Sequence, residues 1–224
     1  MIYKKYSREI KLGIICLLQT VLSVILNIRF DFWIYRWFPG NILLAGIPLV
    51  LSILLIEAKK RSNKIVYAIV FLLWLLFFPN APYMKTDIMH ISALELYGGS
   101  REIAAWIGLF YIATSALLGP IVGLLALDNA VKSISRRAPA IVTVAAASLL
   151  SGYAMYIGRF LRFNSWDLLR SATLIKILIK DFDLFAAQFS LLAAFFVLMS
   201  YVAFVFLTKR PMKRFFGGKN DGIP

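Results

Sequence analysis

"IVYAIVFLLWLLFFPNAPYMKTDIMH", residues 65–90, decides the fold. From Ile65 to Phe78 no residue is charged; two prolines then bracket Asn80, and Tyr83, Asp87 and His90 follow. An apolar run of that kind reads as a membrane helix, and the prolines as its end. The residue before a proline is pushed out of the α region, so Phe78 and Ala81 are expected to be extended and the helix to stop at Pro79. Asp87 is then the expected N-cap of a short helix reaching Leu96, with Gly98 and Gly99 beyond it. His90, the chain's single histidine, would share a face of that helix with Asp87, three residues earlier.

The rest of the chain fits this reading. Of 224 residues, 61% are hydrophobic and 16% charged, against about half and a quarter in soluble domains. The expected fold class is an all-α integral membrane protein, a bundle of about six transmembrane helices plus short interfacial helices on the extracytoplasmic face. The spans fall at about 12–28, 41–57, 65–79, 103–127, 140–158 and 184–207, within a single multipass domain, residues 1–224. The first span follows a basic start without a small-x-small cleavage site and reads as a retained anchor. Cys16 is the only cysteine, which leaves no disulfide framework and no cysteine metal site.

The formal charge of +14 is distributed by side. Sixteen of the 25 Lys and Arg residues lie in the N-terminus, the 59–64 and 128–138 loops and the C-terminal tail; nine lie opposite. The positive-inside rule therefore places both termini in the cytoplasm, and the basic excess is a topology signal that argues against nucleic acid. The parity of six spans puts the loops 79–102 and 158–183 together on the outer face. No span so drawn has an ionisable group near its middle, which disfavours an ion-coupled carrier. Ser115, Gly119 and Gly123, and likewise Ala145, Ser148 and Gly152, form small-residue faces suited to close helix packing, either within the chain or with a protein partner.

The second outer loop carries "GRFLRFNSWDLL", residues 158–169. Arg159 and Arg162 are three apart, and Asn164 to Asp167 has the spacing of a capping box that opens an amphipathic interfacial helix over roughly 166–180. Together with "PNAPY..TD..H" and "N..LA.IP" (Asn41 to Pro48), this motif resembles the domain of unknown function 1361 family, multipass membrane proteins of bacteria. The resemblance covers roughly residues 41–207 and implies the bacterial cytoplasmic (inner) membrane, but it brings no known activity. Gly46 stands where the family pattern leads one to expect an aromatic residue, and Ala104 where it leads one to expect an acid.

Three functional readings follow from the residue types. In a hydrolase or transferase acting on an anionic lipid or envelope precursor, His90 would exchange protons with Asp87 or Asp167 orienting it. Arg159 and Arg162 would hold a phosphate, while Asn80, Tyr83, Asn164 and Trp166 line the ligand. No nucleophile is evident, so water would attack. Alternatively Asp87 and His90, with Asp167, could hold a divalent metal; no other cofactor is indicated. In the third reading the protein is a non-catalytic accessory or structural subunit, or a passive transporter. The same polar residues would then be helix caps, headgroup contacts and, for Trp166, an interfacial anchor.

Overall fold

The apolar runs become long helices. The computed structural model describes residues 5–31, 33–97, 102–163 and 182–208, with the side chains of 93–97 excluded. Helix α1 is Ser7–Phe30, α2 is Trp33–Lys60, α3 is Lys64–Phe77, and α4 is the single turn Asn80–Tyr83. A 3-10 helix, Met84–Tyr97, continues from α4. Helix α5 is Ile103–Ser133, α6 is Arg137–Tyr156 followed by a π-helical turn Ile157–Leu161, and α7 is Leu184–Leu207. Among the described residues, six helical stretches are long and apolar enough to cross a membrane.

The third of these stretches corrects the expectation at Pro79. Phe78 is right-handed helical (φ −52°, ψ −41°), and so is Pro79 (φ −58°, ψ −24°). The apolar span therefore runs on from Lys64 to Ser92. Proline is tolerated at the first turn of a helix, where its missing N–H would have no partner anyway. The carbonyls that lose their usual donors find others: the Ala81 N–H turns to Phe78 O (3.2 Å), and the Asn80 side-chain amide donates to Phe77 O (2.9 Å). In a membrane such replacement is required, because no water is at hand to take the carbonyl.

The start of α2 shows the same device. It begins at Trp33, eight residues before the expected boundary, and passes through Pro39 and Pro48. Pro39 cannot donate to the carbonyl of Tyr35, four residues back, and the buried Ser23 hydroxyl of α1 donates to it instead (2.9 Å). The extra turns place Trp33, Trp37 and Asn41 at intervals of four, on one face of the helix.

Helix α2 packs against α1, α3 and α5, while α6 and α7 form a tightly packed hairpin. Two apolar clusters result. One joins α1, α2, α5 and the 3-10 helix around Tyr35, Phe38, Ile42, Met84 and Ile112. The other joins α3, α5, α6 and α7 around Trp74, Phe78, Leu127, Val144 and Tyr201. The outward faces stay apolar, as at Leu18, Ile28, Leu72 and Leu191. Lys5 pairs with Glu57, and the Tyr67 hydroxyl meets Ser133 (2.8 Å). These contacts gather the basic ends of α1, α2, α3 and α5 at one end of the bundle.

The small-residue faces are used inside the chain at Gly119 and Gly152. A Cβ on Gly119 would come within 2.6 Å of Ala81 O, so α4 lies directly on α5 there. A Cβ on Gly152 would come within 2.1 Å of Ser190 O and 2.9 Å of Ala194 N, both backbone atoms of α7. Gly152→Ala must force the hairpin apart and is expected to destabilise by about 3 kcal/mol, the upper end of the overpacking range. Gly46 has nothing within 4 Å, so Gly46→Ala is the matched control and should melt at or slightly above the parent temperature. Thermal unfolding in detergent checks both; equal midpoints for the two variants would contradict this packing.

Candidate functional site

At the end of the bundle away from the basic loops, α2, α3, α4, the 3-10 helix and the end of α6 enclose a cavity of about 680 Å³. Trp33, Trp37, Asn41 and Leu44 line it from α2, and Leu76, Pro79, Asn80 and Tyr83 from α3 and α4. Asp87 and His90 come from the 3-10 helix, and Ala154, Gly158, Arg159, Arg162 and Phe163 from the end of α6 and beyond. Trp33 and Leu44 are eleven residues apart, so the cavity runs about 16 Å along α2. Its floor, at Leu44, Leu76 and Ala154, is apolar.

The 3-10 geometry sets the polar wall. With about three residues per turn, positions i and i+3 eclipse, and Asp87 and His90 stand one above the other. Asp87 is not an N-cap: it lies inside the 3-10 helix with 1% of its surface exposed. Arg159 Nη2 donates to Asp87 Oδ1 (2.9 Å), and the Asn41 amide donates to Oδ2 (3.2 Å). The same Nη2 donates to Thr86 Oγ1 (2.6 Å), whose hydroxyl donates in turn to Tyr83 O (2.7 Å). The guanidinium carbon lies 5.3 Å from the centre of the Tyr83 ring. That approach depends on Gly158, where a Cβ would come within 2.8 Å of the ring.

The other Arg159 terminal nitrogen, Nη1, is 3.2 Å from His90 Nε2. A guanidinium has only donors, so His90 Nε2 is the acceptor in this contact and the ring carries its proton on Nδ1. Asp87 Oδ1 lies 3.8 Å from His90 Nε2, beyond hydrogen-bonding distance. Among the described residues Arg159, not Asp87, therefore sets the tautomer. Edge-on packing of Trp33 (5.3 Å between ring centres) and Phe38 (6.4 Å) orients the imidazole.

Arg159 sits on the π-helical turn, a feature often found at functional sites, and Arg162 ends that turn in the left-handed region (φ 59°, ψ 32°). Arg162 is exposed at the cavity wall and makes no ion pair among the described residues. The structure thus brings together Asn80, Tyr83, Asp87, His90, Arg159 and Arg162. Asn164, Trp166 and Asp167, with the interfacial helix expected after them, lie outside the described residues. Asn41, Thr86, Trp33 and Trp37 were not among the expected site residues. The four-residue spacing of Trp33, Trp37 and Asn41 was the available signal, hidden by a span boundary drawn after Pro39 and Gly40.

A family described as protein of unknown function (DUF1361) matches residues 40–202. The chain belongs to the DUF1361 family. No curated protein and no solved structure matches it. This DUF1361 protein is a multipass membrane protein whose two motif loops, which the sequence placed at one face, meet through Arg159.

The paired donors also limit the chemistry. Arg159 stands between Asp87 and His90 and takes the His90 Nε2 lone pair, and the third expected ligand, Asp167, lies outside the described residues. No group of three or more His, Cys, Asp or Glu residues that could hold a metal occurs among the described residues. Proton acceptance by His90 Nε2 requires Arg159 to move away.

Removing one partner of a buried pair leaves the other charge uncompensated, at about 3–5 kcal/mol. Asp87→Leu and Arg159→Met should each lower stability by about that amount. The double variant Asp87→Leu/Arg159→Met should recover a large part of it. A double-mutant cycle of melting temperatures in detergent reads the coupling, and simple additivity would contradict the pair.

Proposed function

We propose that the cavity binds the headgroup end of an anionic amphiphile, a phosphate-bearing lipid or envelope precursor, at the outer face of a bacterial cytoplasmic membrane. The orientation follows from the positive-inside rule: the basic end faces the cytoplasm, with both termini, and the cavity faces out. The observation that carries the reading is the distribution of charge and polarity in the cavity. Asp87 and Arg159 neutralise one another, His90 acts as an acceptor, and Arg162, at the wall, has no ion-pair partner among the described residues. Above an apolar floor, that arrangement suits a negative group held near the interface with hydrocarbon directed inwards. Trp33 and Trp37 are amphipathic rings of the kind that line membrane interfaces.

The reading is one of binding, and it rests on the paired charges at the cavity wall. The Nε2 lone pair of His90 is taken by Arg159, and Asp87 is held by Arg159 and Asn41, which supports an anion-holding role for this wall. Native mass spectrometry of gently extracted protein tests the proposal. The wild type should retain an anionic lipid, and Arg162→Ala should lower its occupancy about fivefold, the worth of one cation against an anionic lipid. His90→Gln should retain the lipid. A bare protein mass for wild type and Arg162→Ala alike would refute the assignment.

A further inference from the structure

Residues 79–90 have a second side. Away from the cavity they border an apolar cleft of about 180 Å³, closed by Pro120 and Leu124 of α5 and by Leu192, Phe196 and Val197 of α7. Lys85 and Thr86 lie at its edge. Lys85 belongs to the membrane-spanning stretch Lys64–Ser92, and its Nζ is 4.9 Å from the centre of the Phe196 ring. No carboxylate lies within ion-pair distance of it among the described residues. The aromatic face holds the ammonium without neutralising it. Neighbouring Thr86 is already engaged by Tyr83 and Arg159.

Lys85 is exposed at the outer end of its span, where a lysine lays its stem along apolar surface and presents its ammonium at the headgroup level. Among the described residues nothing neutralises it, so its exposed ammonium is open to an anion from outside the chain. The cleft is larger than the ~150 Å³ apolar cavity that takes up benzene, so a stretch of hydrocarbon fits. A helix, about 10 Å across, does not. Hydrocarbon and an anion in one molecule, of that slenderness, describe a lipid.

We propose that this cleft seats one anionic glycerophospholipid of the surrounding bilayer, its phosphate on Lys85 and one acyl chain lying along Phe196 and Val197. The seat goes beyond the cavity reading and shares none of its lining residues. The experiment is titration of delipidated, full-length protein with phosphatidylglycerol or phosphatidylcholine, read by native mass spectrometry. Wild type should bind phosphatidylglycerol in preference to phosphatidylcholine at this seat. Lys85→Ala should weaken phosphatidylglycerol about fivefold, as expected for one lysine against an anionic lipid, and leave phosphatidylcholine unchanged. Lys85→Arg should keep the preference, and Ala193→Phe, which fills the cleft, should remove the binding event. Arg162→Ala should leave it intact, so failure of the cavity reading and failure of this one give different patterns. Equal binding of the two lipids by wild type, unaltered binding by Lys85→Ala, or loss of the same event in Arg162→Ala would each overturn the proposal.

Discussion

The Arg159 guanidinium ties the site end of this molecule together. It bonds Asp87, Thr86 and His90 at once and lies over the Tyr83 ring, so the end of α6 is pinned to the end of the third span. Burying the Asp87 carboxylate against a partly buried guanidinium is tolerable only when the hydrogen bonds around it are made. Asn41 from α2 takes the second carboxylate oxygen, and that brings in the third wall of the cavity. Remove the guanidinium, and Asp87 is left buried with only an amide for a partner.

The second constraint is the absence of water to satisfy displaced backbone groups. Three prolines sit where a simple reading would end a helix: Pro39, Pro79 and Pro82. The structure continues through all of them because Ser23 and Asn80 supply donors to nearby carbonyls. These side chains therefore have a structural duty beyond packing. Asn80 also lines the cavity, so one residue both maintains the span and contributes to the site.

Much of the architecture was legible in the sequence. Long uncharged runs gave the number of spans, and alternating basic loops gave the expected sides. The parity of spans put the Asp87 and Arg159 segments at the same end, which their contact bears out. The prolines misled, because local propensity argues for a break and only tertiary hydrogen bonds overrule it. For the same reason Asp87 read as a cap: three-residue spacing fits both a helix start and a 3-10 face, and its partner lies 72 positions away. Asn41 and Thr86 stand in the family motifs "N..LA.IP" and "PNAPY..TD..H", but as ordinary polar residues they take on a role only beside a distant arginine. Of the expected small-residue faces, Gly119 and Gly152 are used for close packing within the chain, whereas Ala145 is exposed and lies off the packed side of α6.

Because the chain has a single histidine, the central contact can be observed directly. Tag-free protein labelled with ¹⁵N in histidine gives one pair of ring signals. At a pH where the ring is neutral, the account expects a protonated Nδ1 and an unprotonated Nε2, and loss of that preference in Arg159→Met. A ring protonated at Nε2 in the wild type would mean that Arg159 does not donate to His90, and the arrangement of the site described above would be wrong.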